Sequence, residues 1–195
     1  MDKSLVLEEV AKAYINKTNL PSATDVFTAL LESEKSCKLE KRRYLFDAVE
    51  GTWRLIYITG TQKAQSRLGS LLNQGRYLPR LFNIEITYCT NPEPSPCPME
   101  VKNRVRIGSF QLTVTGPVKF LMRKNILGFD FTQIQVQLFG ATLFQGYIQK
   151  GKEREIRFYE EKIGKQAFFT YFYIGESAIA ARGRGGGLAI WGRIQ

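Results

Sequence analysis

The chain has 195 residues, no histidine and a formal net charge of +10. This length suits one domain with a sizeable core, and the lack of histidine excludes Ser-His-Asp and Cys-His catalysis and histidine-ligated metal sites. The acidic start MDKSLVLEEVAK is unlike a signal or transit peptide, so we expect a protein that is soluble or peripheral to a membrane.

Residues 1–50 are predicted to be helical. They carry eight Lys/Arg and nine Asp/Glu residues, a net charge of −1. Apolar side chains recur at helical spacing in SLVLEEVAKAYINK, DVFTALLESEK and LEKRRYLFDAVEG. Ser22 or Thr24 is the expected N-cap of the second helix, and Gly51 the expected end of the third.

Residues 51–195 are predicted to form β-strands, because apolar and polar residues alternate along them. They carry 20 Lys/Arg and nine Asp/Glu residues, a net charge of +11. The predicted strands include TWRLIYIT, FNIEITYC, REIRFYEEKI, QAFFTYFYIG and LAIWGRI, with turns at Gly116-Pro117, Gly140, Gly151 and Gly164. The alternation changes phase at Gly108-Ser109, as a bulge or a turn there would require. About eight to ten short strands predict an antiparallel barrel or sandwich.

Three cysteines, Cys37, Cys89 and Cys97, indicate a reducing compartment, because their number is odd. Cys89 and Cys97 flank the loop CTNPEPSPCP, where either two thiols or a redox-sensitive disulfide fits. Two sulfurs at this spacing lack the further ligands that a metal requires, so no metal site is predicted.

The segment VEGTWRLIYITG opens the first strand with the Gly-x-Trp pattern of lipocalin-type barrels, here Gly51 and Trp53. In such barrels the indole closes one end, and the glycine lets the chain pass close beneath it. An arginine of the last strand can then lie across the ring as a cation–π partner. Arg193 is the candidate for this closure.

The stretch ARGRGGGLAIW, residues 181–191, combines two arginines with four glycines. A phosphate-binding P-loop requires a following Lys-Ser/Thr and a long helix, but only LAIWGRIQ follows the last glycine. An RGG-type nucleic-acid segment has a repeated, disordered context, whereas this stretch is single and flanked by strands. We therefore predict a turn into the last strand, with Arg182 and Arg184 available to an anion at the barrel rim.

These motifs together resemble the plastid lipid-associated protein family, also called plastid fibrillins. That family has a W-(R/K)-L-x-Y-(T/S) first strand and an R-G-x-x-G turn before a hydrophobic last strand. The matching positions are Trp53, Arg54, Leu55, Tyr57, Arg182 and Gly183. The resemblance covers about residues 24–195 and is that of a divergent, cyanobacterial-type member, since Ile179 stands where the family has an arginine. It implies a lipocalin-like barrel that binds lipid or isoprenoid-type molecules at thylakoid membranes or plastoglobules, in the cytoplasm of a cyanobacterium or in a plastid.

We therefore predict an α+β protein, in which a helical region (1–50) packs on a lipocalin-like antiparallel β-barrel (51–195). The expected function is non-enzymatic binding or carriage of a hydrophobic molecule, such as a lipid, a quinone or a carotenoid, by a monomer that uses no cofactor. The segment FFTYFYIG supplies the candidate cavity side chains. These are Phe169, Tyr171 and Tyr173, whose phenols can orient a polar head, or the opposite set of Phe168, Thr170, Phe172 and Ile174.

Three other functions remain open at this point. A barrel filled by its own side chains is a scaffold and not a carrier. A bilin-lyase-like enzyme would hold tetrapyrrole propionates with basic side chains, for which Arg104, Arg106, Arg182 and Arg184 are candidates. Nucleic-acid binding is disfavoured, because a barrel would bury the aromatic residues that a stacking platform requires.

The excess positive charge predicts an anionic membrane surface as a partner. The segment QKAQSRLGSLLNQGRYLPRLF places Lys63, Arg67, Arg76 and Arg80 among leucines, as in a basic amphipathic element that lies in a membrane interface. The alternative is that these leucines fold onto the barrel as a lid.

Overall fold

The computed structural model describes residues 3–60, 75–91 and 97–194. In these ranges the chain forms three α-helices, three short 3₁₀ turns and eleven β-strands. The helices and strands are α1 (Lys3–Asn16), α2 (Ala23–Leu39), β1 (Gly51–Ile58), β2 (Arg76–Tyr77), β3 (Asn83–Thr90), β4 (Met99–Ile107), β5 (Phe110–Leu121), β6 (Ile126–Phe129), β7 (Gln133–Leu138), β8 (Ala141–Tyr147), α3 (Gly151–Arg157), β9 (Ala167–Ile174), β10 (Ala178–Gly183) and β11 (Leu188–Ile194).

Eight of the strands close into an antiparallel barrel in the order β1, β3, β4, β5, β6, β9, β10, β11 and back to β1. The predicted fold class, a helical region followed by an antiparallel β-barrel, is confirmed. Alternation along each strand directs one set of side chains to the barrel interior and the other set outwards. Trp53, Tyr88, Val101, Tyr171 and Ile179 belong to the buried interior cluster.

Strand β5 changes partner along its length, and this gives the barrel an extension. Residues Val118–Leu121 pair with β6 in the wall of the barrel, whereas Phe110–Thr115 pair with β7. Strand β7 in turn pairs with β8, and these two strands form the extension. Gly116 lies at the change of partner, where a Cβ atom would collide with the carbonyl oxygen of Asp130. The predicted turn at Gly116-Pro117 is therefore wrong: β5 runs through both residues, and the absent side chain lets the loop between β6 and β7 cross close to the strand.

The helices α1 and α2 pack on the outer surface of the barrel against β9, β10 and β11. Their buried faces, which include Leu7, Val10, Val26 and Leu30, form a second apolar cluster with outward side chains of the strands. Ser22 caps α2 by accepting a hydrogen bond from the backbone N–H of Asp25. Among the described residues, neither these helices nor α3 combine the length and apolar character that crossing a bilayer requires.

The third predicted helix, residues 39–51, does not form. Helix α2 continues to Leu39, and Lys41 follows with a positive φ of 52°. The backbone beyond it bonds instead to the buried side chain of Asn125, which accepts from the N–H of Tyr44 at 3.1 Å and donates to the carbonyl of Arg42 at 2.9 Å. Only a single 3₁₀ turn at Phe46–Ala48 remains helical.

The predicted strand REIRFYEEKI is wrong too, because this segment begins within α3. Ile156, one of the apolar residues that suggested a buried strand face, is 68% exposed. Arg154 on this helix donates to the carboxylate of Asp130 at 2.8 and 2.5 Å and to the carbonyl of Phe131 at 2.8 Å. These bonds fix α3 against the loop that crosses Gly116.

Candidate functional site

Trp53 closes one end of the barrel. Its side chain is fully buried, and Nε1 donates a hydrogen bond to the carbonyl of Val49 at 2.7 Å. The guanidinium carbon of Arg193, the cross-strand neighbour of Trp53, lies 4.0 Å from the centroid of the indole. Arg193 also donates to the carbonyls of Glu50 and Glu176, and Gly51 has a φ of +113° directly below its guanidinium group. The three residues predicted to close the barrel thus lie together at one end.

The outward residues of the family-like motifs attach the barrel to the helices. Arg54 lies over the ring of Tyr14 at 5.6 Å, and the hydroxyl of Tyr57 donates to the carbonyl of Ala23 at 2.9 Å. Arg182 forms a two-point ion pair with Glu34 of α2, with N···O distances of 2.9 and 2.5 Å. These contacts give Arg54, Tyr57 and Arg182 a structural role, whereas Leu55 packs on the barrel interior.

The glycines of the stretch ARGRGGGLAIW form the turn between β10 and β11. The N–H of Gly183 donates to the carbonyl of Gly187 at 2.8 Å, and Gly186 has a φ of +85°. Arg184 donates to the carbonyls of Lys165 and Gln166. The stretch therefore forms a tight connection into β11, and its arginines bind protein groups.

A pair of tyrosines lies inside the barrel. The hydroxyls of Tyr88 and Tyr171 are 2.9 Å apart, and both side chains are almost fully buried. Burial raises the pKa of both phenols well above the ordinary value of a tyrosine, so each is neutral at physiological pH. One hydroxyl donates to the other, and the second phenolic hydrogen has no acceptor among the described residues. This hydrogen is a donor within a mostly apolar interior.

Phe169 and Tyr171 face the interior as predicted for the cavity set, but Tyr173 does not. A β-bulge shifts the register so that Ala180 pairs with Tyr173 and Ala181 pairs with Tyr171. The extra residue, Phe172, reverses the alternation, and both Phe172 and Tyr173 face the helices. The hydroxyl of Tyr173 donates to Glu8 of α1 at 2.9 Å. The prediction for Tyr173 is therefore wrong.

Phe169 is the centre of an aromatic cluster on the interior side of β9. Its ring stacks on Phe129 with a centroid distance of 5.1 Å and meets Trp191 edge-on at 5.2 Å. Phe169 is only half-buried, whereas Tyr171, two residues further into the barrel, is buried. The interior is therefore closely packed around the tyrosine pair and more open at Phe169.

Asn103 is a polar residue on the interior side of β4 that the sequence analysis did not identify. It pairs across the strands with Ile86, a buried interior residue, and with Val114. Directly paired residues share one face of a sheet, so its side chain lies on the interior face. Its buried Oδ1 has no hydrogen-bond partner among the described residues. Such an atom costs free energy unless something else binds it, which makes it a candidate ligand contact.

The interior face of the barrel continues beyond the point where β6 ends its pairing with β5. The residues on this continuation, here called the apolar wall, are Val105, Ile107, Phe110, Leu112, Val114, Ile134, Val136, Leu138 and Phe144. Each is paired directly with another member, so they share one face. All are half-buried or exposed. Gln133, Gln135 and Gln137 occupy the opposite face. Gln135 and Gln137 form hydrogen bonds with neighbouring polar side chains.

The basic residues predicted to bind membranes or tetrapyrroles have different surroundings where the structure describes them. Lys63 and Arg67 lie outside the described residues. Arg76 is exposed on β2, and Arg80 lies over the ring of Tyr14 at 5.5 Å. Of the four arginines considered for bilin binding, Arg182 and Arg184 bind protein groups as above, Arg104 is paired with Glu85, and Arg106 is exposed.

Cys97 and Cys89 both have pKa values that oppose thiolate formation. The Sγ atom of Cys97 donates to Glu155 at 3.4 Å, and burial together with this carboxylate raises the pKa of the thiol to about 12. Burial also raises the pKa of Cys89. Because the thiolate is the reactive form, this environment favours thiols at neutral pH.

Comparison with known proteins gives no family. No family model matches the chain, and no curated protein matches it. Among solved structures the chain is similar to a redesigned β-barrel, with 11% sequence identity, a TM-score of 0.32 and coverage of 77% of this chain and 95% of the other. No functional argument follows from a likeness of this degree.

Proposed function

We propose that this protein is a non-enzymatic binder of hydrophobic molecules of the lipid or isoprenoid type. The observation that carries this proposal is the continuity of the apolar face. It runs from the buried interior cluster past Asn103 to the half-buried and exposed side chains of the apolar wall. Folding alone gains little from aliphatic side chains that stay exposed on such a surface, whereas a long apolar ligand could lie along them.

The polar groups within this surface favour a ligand with one polar end. Asn103 offers an amide beside Ile86, and the Tyr88–Tyr171 pair offers one phenolic hydrogen. Few polar groups in an apolar site are the usual means of orienting a ligand. A quinone, a fatty alcohol or an oxygenated carotenoid has this chemistry. Membership of the plastid lipid-associated family, with a location on thylakoid membranes, is part of the proposal, and the closure by Trp53 and Arg193 supports it.

A structural scaffold is the second candidate function. Trp53, Tyr88, Tyr171 and Trp191 are each less than 5% exposed, so side chains fill much of the barrel near its closed end. In that case the apolar wall would serve a purpose other than ligand binding. Uptake of an apolar probe separates the two candidates.

The test is a titration with diphenylhexatriene, a neutral dye that fluoresces in apolar surroundings. We expect saturable uptake of one dye per chain, displaced more strongly by 1-hexadecanol than by n-hexadecane. In the Asn103→Leu variant, the preference for the alcohol should fall by about tenfold, because a hydrogen bond inside an apolar site is lost. The free energy of unfolding of this variant should be about 1 kcal/mol higher than that of the wild type, because a buried unsatisfied oxygen is removed.

Val105→Leu, on the same strand and face, is the matched control, which should leave the preference for the alcohol unchanged. Absence of saturable dye uptake by the wild-type protein would leave the scaffold as the better account. An unchanged preference for the alcohol in Asn103→Leu would mean that Asn103 does not contact the ligand, although the apolar site itself could still bind it.

A further inference from the structure

The tips of the β4–β5 and β7–β8 hairpins form a single apolar edge at the end of the apolar wall. Phe110 pairs with Leu138, and the N–H of Phe139 donates to the carbonyl of Ser109 at 3.0 Å, so the two tips lie side by side. The exposed fractions of the tip side chains are large. They are 40% for Ile107, 40% for Phe110, 82% for Phe139 and 63% for Leu143.

Phe139 has an unusual conformation for its residue type. It and Gly140 form the two-residue connection between β7 and β8, with φ values of +49° and +81°. Two positive φ values define the hairpin turn in which Asn-Gly is the favoured pair. A bulky aromatic residue rarely adopts this conformation, and the strain costs about 1–2 kcal/mol. The protein therefore keeps a strained, exposed phenylalanine at a position where asparagine would stabilise the fold.

The charged residues of the two hairpins are all positive, and one of them, Arg104, is paired with Glu85 of β3. The β4–β5 hairpin from Val101 to Gly116 carries Lys102, Arg104 and Arg106 and no acidic residue, and residues 131–149 carry no charge of either sign. Arg106 is next to Ile107 at the tip. Lys102 lies about 17 Å from Ile107 along the strand, at about 3.3 Å per residue. Apolar tips followed by cations match the order of layers in an anionic membrane, in which acyl chains lie below phosphate groups.

We propose that these hairpin tips insert into an anionic lipid bilayer. Insertion of the tip side chains by about 5–10 Å would bring Arg106 to the level of the phosphates. The apolar wall would then connect the acyl region with the barrel interior. A role for this connection in ligand transfer rests on the proposed function, but the contact of the tips with the membrane is testable without any ligand. A second copy of the chain is a poorer occupant, because two chains of net charge +10 repel each other and a pair of turns offers a small interface.

The first experiment is flotation of the full chain with vesicles of 70% phosphatidylcholine and 30% phosphatidylglycerol at low and high salt. We expect the wild-type protein to float at low salt and less so at high salt. Phe139→Asn should lower the partition coefficient about tenfold while raising Tm by about 3 °C, since strain at the turn is released. A variant that is more stable and yet binds less has not lost binding through unfolding.

Matched variants locate the contact. Leu39→Ser changes a leucine of α2 that is 72% exposed and should leave flotation unchanged, whereas Leu143→Ser should lower it. Arg106→Gln should weaken binding at low salt more than Arg76→Gln, which lies in the other segment considered for membrane contact. In Phe139→Trp, lipids brominated on the acyl chains should quench the added indole, because the native Trp53 and Trp191 are buried.

Four outcomes would overturn the proposal, and the first three come from the experiments with vesicles. These are wild-type protein that does not float at low salt, Phe139→Asn that floats as well as the wild type, and an indole at position 139 that the brominated lipids do not quench. Concentration-dependent dimers abolished by Phe139→Asn would show that a second copy covers the tips instead. Because none of these measurements involves the dye, failure here leaves the proposed function of the barrel intact.

Discussion

Replacing Trp53 with alanine is expected to lower the free energy of unfolding by about 4 kcal/mol. The indole is fully buried at the closed end of the barrel, and its Nε1 donates to the carbonyl of Val49. Alanine would leave a cavity beneath Arg193 and an unsatisfied carbonyl. For a domain of this size we expect Tm to fall by about 12 °C, as measured by circular dichroism.

Arg193→Ala is the control for this prediction. The cation–π contact with the exposed guanidinium is worth about 1 kcal/mol, so this substitution should be much milder than Trp53→Ala. In the double variant, most of the effect of Arg193→Ala should disappear, since the ring that it covers is gone. An equal loss of unfolding free energy in the two single variants would mean that the guanidinium, and not the indole, stabilises this end of the barrel.

Replacing Arg182 with alanine is expected to cost about 3 kcal/mol of folding free energy at pH 7. Arg182 binds both carboxylate oxygens of Glu34, whose side chain is 11% exposed, so its removal leaves a nearly buried charge without its main partner. Lys38→Ala is the matched control, because Lys38 pairs with the same carboxylate but is 71% exposed. That substitution should cost about 0.4 kcal/mol.

The effect of Arg182→Ala should depend on pH. Burial alone would raise the pKa of Glu34, but the hydrogen bonds and charges of Arg182 and Lys38 outweigh burial and hold it below its ordinary value. In the wild type this stabilisation is present above the unfolded pKa, about 4.3, and is lost as pH falls through the folded pKa. In the variant, burial dominates and the protonated form is favoured. Urea unfolding should therefore give a difference between the proteins that shrinks from pH 7 to about pH 3.5, and a constant difference would contradict the ion-pair account.

Features that depend on near neighbours in sequence or on one strand pair could be predicted from the sequence. The Gly51–Trp53 start of β1 and an arginine in the last strand suffice to place a cation over the indole, because antiparallel pairing brings Trp53 and Arg193 opposite each other. The glycines before β11 indicate a turn for the same local reason. Strand alternation located four of the eight barrel strands, β1, β3, β9 and β11, to within one residue, but it did not identify β10.

Features that depend on distant contacts could not be predicted. The buried side chain of Asn125 diverts residues 40–45 from helix, and its bonds are invisible in a periodicity pattern. Tyr173 has the right parity for the interior, but the bulge at Phe172 reverses its side. Asn103 looks like an ordinary polar strand residue until the pairing with Ile86 and Val114 places it on the interior face. The apolar wall itself exists because β5 exchanges β6 for β7 as its partner, which no local pattern records.

Native mass spectrometry of the protein purified from its own host shows whether the apolar face of the barrel holds a hydrophobic molecule. We expect one bound hydrophobic molecule per chain, which solvent extraction releases and which carries a hydroxyl or carbonyl group near one end. A bare polypeptide mass from the same preparation, combined with no saturable uptake of diphenylhexatriene by the purified chain, would mean that this barrel is not a binder of hydrophobic molecules.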